Sequence, residues 1–197
     1  MIVKLAASGN DLIDRPYDGV DRYVLDGELR ENPSGALDSE TGDIMPVRNI
    51  QHSEATAATS MELSNWLRKQ AKPRGKVLTG DAGLRLALDP ERTFGVDVMV
   101  VSADVLAAQT GESTIIEGVP TLCVEILSPS EVVERIDEKT DAYLAAGVPL
   151  VWLLDLHDKS VTVYSPGAEP IFFNRLMEIS GEPHLPGFRV PVANLFE

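Results

Sequence analysis

Apolar positions along this chain fall into two rhythms. Three runs, Val96–Val101, Leu122–Leu127 and Leu150–Leu154, are apolar with almost no alternation, which predicts strands covered on both faces. Two other stretches carry apolar residues at helical spacing. From Ser53 to about Lys72, Ala57, Met61, Leu63, Trp66 and Leu67 mark a helix, with Ser53 as its N-cap and Pro73 and Gly75 as its stop. Further on, Val132, Ile136, Tyr143 and Leu144 mark a second helix. It opens on a capping box at Ser128-Pro129-Ser130-Glu131 and ends at Gly147.

Turn chemistry supplies the rest. Asp26-Gly27 within Arg22–Glu31 predicts a tight hairpin. Lys76–Thr79 and Leu84–Leu88 read as two short strands split by Gly80 and Gly83, and one helical turn follows Ser102. Leu150–Asp155 and Ser160–Tyr164 form a hairpin about Asp158-Lys159. Residues 32–50 read as irregular, and 165–197, with five prolines, as short strands and turns. The expected architecture is α/β: a central mixed sheet flanked by helices, with an N-terminal hairpin. A loose leader over 1–20 and one domain over 21–197 follow from this order.

Composition narrows the setting. Hydrophobic residues make up 44% of the 197, enough for a full core. The lone cysteine, Cys123, lies inside an apolar strand and suits a core position in a reducing compartment. No stretch resembles a secretory signal or approaches the ~18 apolar residues of a membrane helix. The expectation is a soluble, cytoplasmic protein with no membrane partner. A net charge of −14 argues against a nucleic-acid partner, because phosphate binding calls for a basic footprint. Only Arg68, Lys69, Lys72, Arg74 and Lys76 cluster as cations, and they fit a solvated helix end.

Charges inside the apolar runs carry the chemistry. Glu125 interrupts Leu122–Leu127, and Asp97 interrupts the earlier strand. A buried carboxylate costs several kcal/mol unless donors or a cation meet it. Alternation puts Asp97 with Met99 and Val101 on one face, and Glu125 with Cys123 and Leu127 on another. If the two strands are neighbours, the carboxylates converge. Lys139 lies three residues from Ile136 and four from Tyr143, so it points inward with them. One resolution is a buried Glu125–Lys139 ion pair. Another is a divalent cation between the carboxylates, for which hard oxygen ligands select Mg²⁺ or Mn²⁺.

The combination resembles a known family. Asp97 in its strand, Val124-Glu125-Ile126-Leu127-Ser128-Pro129-Ser130, Lys139 with Tyr143, the run Gly147–Asp155, the terminal Leu185-Pro186-Gly187-Phe188 and the early Leu25-Asp26-Gly27-Glu28 resemble the Uma-type restriction endonuclease family of the PD-(D/E)XK nuclease superfamily. The resemblance spans about Tyr23 to Phe196. It implies a restriction-endonuclease-like fold and Mg²⁺-dependent hydrolysis of DNA phosphodiesters. Asp97, Glu125 and the backbone carbonyl of Ile126 would be metal ligands, and Lys139 the catalytic lysine. Glu28, His52 (placed before the first helix) and Tyr143 would be accessory groups. Glu28 also reads as an ordinary hairpin residue, His52 as a surface histidine and Tyr143 as core. Two departures stand out. The superfamily's usual lysine position, two residues after the glutamate, is Leu127, and Val96 replaces the proline before the first aspartate. A homodimer is compatible with cutting two strands. The alternatives are a non-catalytic binding or regulatory protein on a nuclease fold, and a metal-dependent hydrolase of a smaller phosphate ester.

Overall fold

The computed structural model describes residues 50–88, 91–109, 113–127 and 133–197, preceded by the backbone of four short strands; side chains of 133–135 lie outside the description. Strands β1 (Arg22–Leu25) and β2 (Glu28–Glu31) pair antiparallel with Leu25 opposite Glu28, as the two-residue hairpin requires. Asp26 and Gly27 themselves, and the predicted leader, lie outside the described residues. Within the stretch expected to be irregular, β3 (Ala36–Leu37) and β4 (Ile44–Met45) form a small pair of their own.

The first helix, α1, spans Ile50–Arg68, starting three residues before Ser53. The cap expected at Ser53 is therefore not the start, and His52 lies inside the helix rather than before it. Packing explains the difference. His52, Ala55, Thr59 and Leu63 repeat at helical spacing and are all buried, so the inward stripe begins ahead of Ser53. At the other end Arg74 Nη1 donates to the Arg68 carbonyl at 2.6 Å, so part of the basic cluster serves the helix terminus.

Strand β5 (Lys76–Leu86) is continuous where two strands were expected. Gly80 and Asp81 adopt positive φ of 84° and 55°, and the register against β6 (Arg92–Val101) shifts between Thr79 and Ala82. The glycine makes a bulge rather than a turn, so the strand continues. Ser102 caps the short helix α2 (Ala103–Ala107), its Oγ accepting from the Val105 amide. Then come β7 (Ile116–Glu117), β8 (Leu122–Leu127) and helix α3 (Val133–Ala145). The predicted capping box at 128–131 lies outside the described residues. Gly147 ends this segment at φ +87°, a conformation that favours glycine. Strands β9 (Val151–Asp155), β10 (Ser160–Tyr164) and β11 (Ile171–Phe173) follow. The tail adds β12 (Glu178–Ser180), β13 (Arg189–Pro191) and a 3₁₀ turn at Val192–Leu195.

Among the described residues the main sheet has nine strands. Its path runs β11-β10-β9-β8-β6-β1-β2, with β5 on the other side of β6 and β7 beyond it. β8 and β9 are parallel and joined by α3; the other pairs on the path are antiparallel. Alternation sorts the core. Val98, Val100, Val124, Trp152 and Leu154 pack with Ala55 and Leu63 of α1 and with the tail. Met99, Val101, Cys123, Val151 and Leu153 pack with Ala142 and Tyr143 of α3. The helices thus cover opposite faces.

Trp152 shows how much one position holds. It is fully buried, with its ring 5.6 Å from that of Phe188. Trp152→Ala is expected to cost about 3–5 kcal/mol by urea denaturation. Trp152→Phe should cost much less, because among the described residues Nε1 has no hydrogen-bond partner to lose.

Candidate active site

The sheet forks at Asp97. Along one edge of β6, Val98, Met99 and Val100 pair with Val124, Cys123 and Leu122 of β8, while Thr93 pairs with Val24 of β1. The same edge thus serves two strands that diverge between these points. Continuing the β6–β8 register sets Asp97 opposite Glu125, as the alternation predicted. Past the last ladder pair the Ile126 amide finds a side chain instead of backbone: it donates to Asp97 Oδ2 at 2.8 Å. Amide and carbonyl of one strand residue point the same way, so the Ile126 carbonyl also faces the fork.

Both carboxylates are buried, at 5% exposure each. Glu125 Oε2 receives the Lys139 ammonium at 2.8 Å, and Oε1 receives the Tyr143 hydroxyl at 2.7 Å. The two donors stand one helical turn apart on α3, so one carboxylate engages both. Lys139 Nζ also donates to the Gly95 carbonyl at 3.2 Å. The Glu125–Lys139 ion pair that the sequence left open is therefore present. Its lysine side chain is 22% exposed, which makes Lys139 the group that opens to solvent.

Asp97 has a partner that sequence reading placed elsewhere. His52 Nε2 lies 3.3 Å from Asp97 Oδ1, and the ring is buried, not on the surface. It comes from α1, the helix on the opposite face, and meets the carboxylate where β6 and β8 part. Thr56 one turn later stands 3.4 Å from His52 Nδ1 and donates to the His52 carbonyl. The signal was in the sequence: His52 shares the 3–4 spacing of Ala55, Thr59 and Leu63. The Gly95 carbonyl carries no side-chain signal at all.

Neighbours push the two carboxyls apart. For Asp97, burial raises the pKa, but the contact and charge of His52, the Lys139 charge and the Ile126 amide outweigh it and hold the group below its ordinary 3.8. For Glu125, burial dominates and Asp97 adds like-charge repulsion. Lys139 and Tyr143 offset only part, leaving it at about 7 instead of 4.5. Burial and the Glu125 charge likewise raise the Tyr143 hydroxyl, so it stays a donor. Burial lifts the Cys123 thiol too, in keeping with a core role rather than a nucleophile.

Of the accessory residues, His52 and Tyr143 both touch the site, His52 at Asp97 and Tyr143 at Glu125. Glu28 is the first residue of β2, with its side chain outside the description. Among the described residues no group of three or more His, Cys, Asp or Glu side chains gathers in metal-binding range. No helix among them is long and apolar enough to cross a membrane.

A forked mixed sheet that buries two carboxylates at its branch point, with a lysine from the next crossover helix reaching one of them, defines a nuclease-fold protein. A solved structure described as a "putative nuclease belonging to DUF820" from Anabaena variabilis has this fold. Its TM-score is 0.75 at 15% identity, over 95% of this chain and 96% of that one. The chain belongs to the Uma2 family, described as "Putative restriction endonuclease", whose model matches residues 23–193. No curated protein matches it.

Proposed function

We propose that the protein is a Mg²⁺- or Mn²⁺-dependent endonuclease that hydrolyses DNA phosphodiester bonds at the fork. The observation that carries this reading is the meeting of Asp97, Glu125, the Ile126 backbone and Lys139 in one place. The donor chemistry fits such a cation. Two carboxylates and a carbonyl are hard oxygens, the ligand type that Mg²⁺ and Mn²⁺ select. Asp97, Glu125 and the Ile126 carbonyl would hold the ion, leaving its remaining positions to water and phosphate, as Mg²⁺ prefers. When bound, the metal supplies Lewis-acid stabilisation of the phosphate and eases ionisation of the attacking water.

The chain's own residues do the rest. His52 and the Ile126 amide orient Asp97 and keep it ionised. Tyr143 fixes the rotamer of Glu125 through Oε1. Lys139, held on Glu125 and on the Gly95 carbonyl, sets its partly exposed ammonium at the solvent side of the site. There it orients the nucleophile or meets the charge growing on the phosphate.

Purified protein incubated with supercoiled plasmid and Mg²⁺ or Mn²⁺ tests the reading. Wild type should nick it, and Asp97→Ala, Glu125→Ala and Lys139→Ala should not. Nicking that persists in the three variants marks a contaminant and sinks the assignment. Metal binding should also release protons. Glu125 ionises near pH 7, so affinity should rise as pH approaches 7 and level off above it. Calorimetry at pH 6 in buffers of different ionisation enthalpy should detect about one proton released per ion.

A second reading, a non-catalytic protein on the nuclease fold, draws on two observations. The net charge is −14, and each oxygen of Asp97 and Glu125 already has a protein partner. A Mn²⁺ titration of the wild type that registers no binding decides for it. Binding of Mn²⁺ with hydrolysis of a small phosphodiester but not of plasmid would instead favour the smaller phosphate ester.

A further inference from the structure

Strand β11 is the outer edge of the main sheet. Its inner side pairs with β10, Phe172 opposite Thr162; among the described residues no strand pairs with its outer side. Open edges template pairing with another chain and are normally blunted by charge or cover. This one reads Ile171-Phe172-Phe173. Ile171 and Phe172 are 56% and 57% exposed, and Leu176 and Met177, just beyond, are 87% and 42% exposed. These four account for most of the exposed large apolar side chains among the described residues; the others, Ile50, Met61 and Val119, are scattered. A concentrated apolar patch of this kind marks an interaction surface.

Charge selects the occupant. Two copies at −14 repel wherever acidic surface meets. The arm from Pro166 to Glu178 is a window of low charge: it carries only Glu169, Arg175 and Glu178, and Glu178 already pairs with Arg189 at 3.0 Å. We propose that two copies of this chain join edge to edge through β11, antiparallel about a two-fold axis at Phe172. Such a contact is self-complementary by symmetry. Ile171 lies opposite the partner's Phe173, and the apolar side chains of both copies cover one another. Glu169 lies just before the strand and Arg175 in the turn just after it, so Glu169 of one copy comes near the partner's Arg175 at each end of the junction. Glu169 and Arg175 are both exposed and able to reach. The sheet then continues from one copy into the next. None of this depends on Asp97 or Glu125, so its failure would leave the proposed hydrolysis standing.

Sedimentation velocity on the full chain from about 1 to 100 µM tests it. Wild type should move from 21.4 kDa toward twice that mass as concentration rises. Phe172→Lys should remain monomeric. Arg175→Glu sets like charges together at both ends and should weaken association about tenfold or more. The double reversal Glu169→Arg with Arg175→Glu should restore it. These side chains are exposed, and far-ultraviolet circular dichroism should confirm that each variant is folded. A wild type that stays monomeric throughout overturns the proposal. So does a dimer of unchanged strength in Phe172→Lys or Arg175→Glu, or a double reversal that does not recover.

Discussion

Asp97→Asn is expected to abolish divalent-metal binding and plasmid cleavage while leaving the chain folded. The amide oxygen of asparagine can still accept from the Ile126 amide, so the fork keeps its closing hydrogen bond. Stability should shift by only about 1–2 kcal/mol. Activity should fall about 10³-fold or more, since a charged ligand to the ion contributes several kcal/mol to the transition state. A second readout separates this from a folding defect. Asp97 is one of the charges that hold the Glu125 pKa up, so removing it should let Glu125 titrate below its wild-type value near 7. Carbon-13 NMR of the Glu125 carboxyl would record the shift. A variant that keeps its metal affinity would remove Asp97 from the ligand set.

Lys139→Met is the second large effect, and its sign depends on pH. Removing one partner of a buried ion pair typically costs about 3–5 kcal/mol. Glu125 has an escape, because it can take up a proton and remain hydrogen-bonded to Tyr143. Without the lysine its folded pKa must rise further above about 7, against 4.5 when unfolded. A carboxyl raised on folding contributes stability that is fully present below the unfolded value and is lost as pH climbs through the folded one. The variant should therefore match wild type closely at pH 5.5 and fall well behind at pH 8.5, as urea midpoints at the two pH values would show. Equal losses at both would mean that Lys139 does not hold the Glu125 charge. Cleavage should drop about 10²–10³-fold.

The strands that matter were legible because burial on both faces leaves near-continuous apolar runs, and Asp97 and Glu125 stood out against them. Lys139 and Tyr143 were legible because a helix repeats its inward face every three to four residues. His52 was misplaced because its helix start was read from Ser53, a local cap, whereas packing against β6 and β8 set the start earlier. The bulge at Gly80-Asp81 was read as a break for a related reason. Glycine signals a change of backbone direction, but only the partner strand decides between turning and bulging. The fork could not be read at all, since it depends on two strands sharing one edge of β6 from distant parts of the chain.

The two bonds that α3 makes to Glu125 also bear on how the chain avoids folding wrongly. A helix turned by one residue rotates its side chains by about 100°. Lys139 and Tyr143 would both swing away together, and above pH 7 the sheet would be left with a bare buried charge. Leucine or valine contacts tolerate such slippage, because one apolar neighbour replaces another. The carboxylate does not, so it works as an indexing pin for the crossover helix, rejecting the near-native packings that an all-apolar interface would accept.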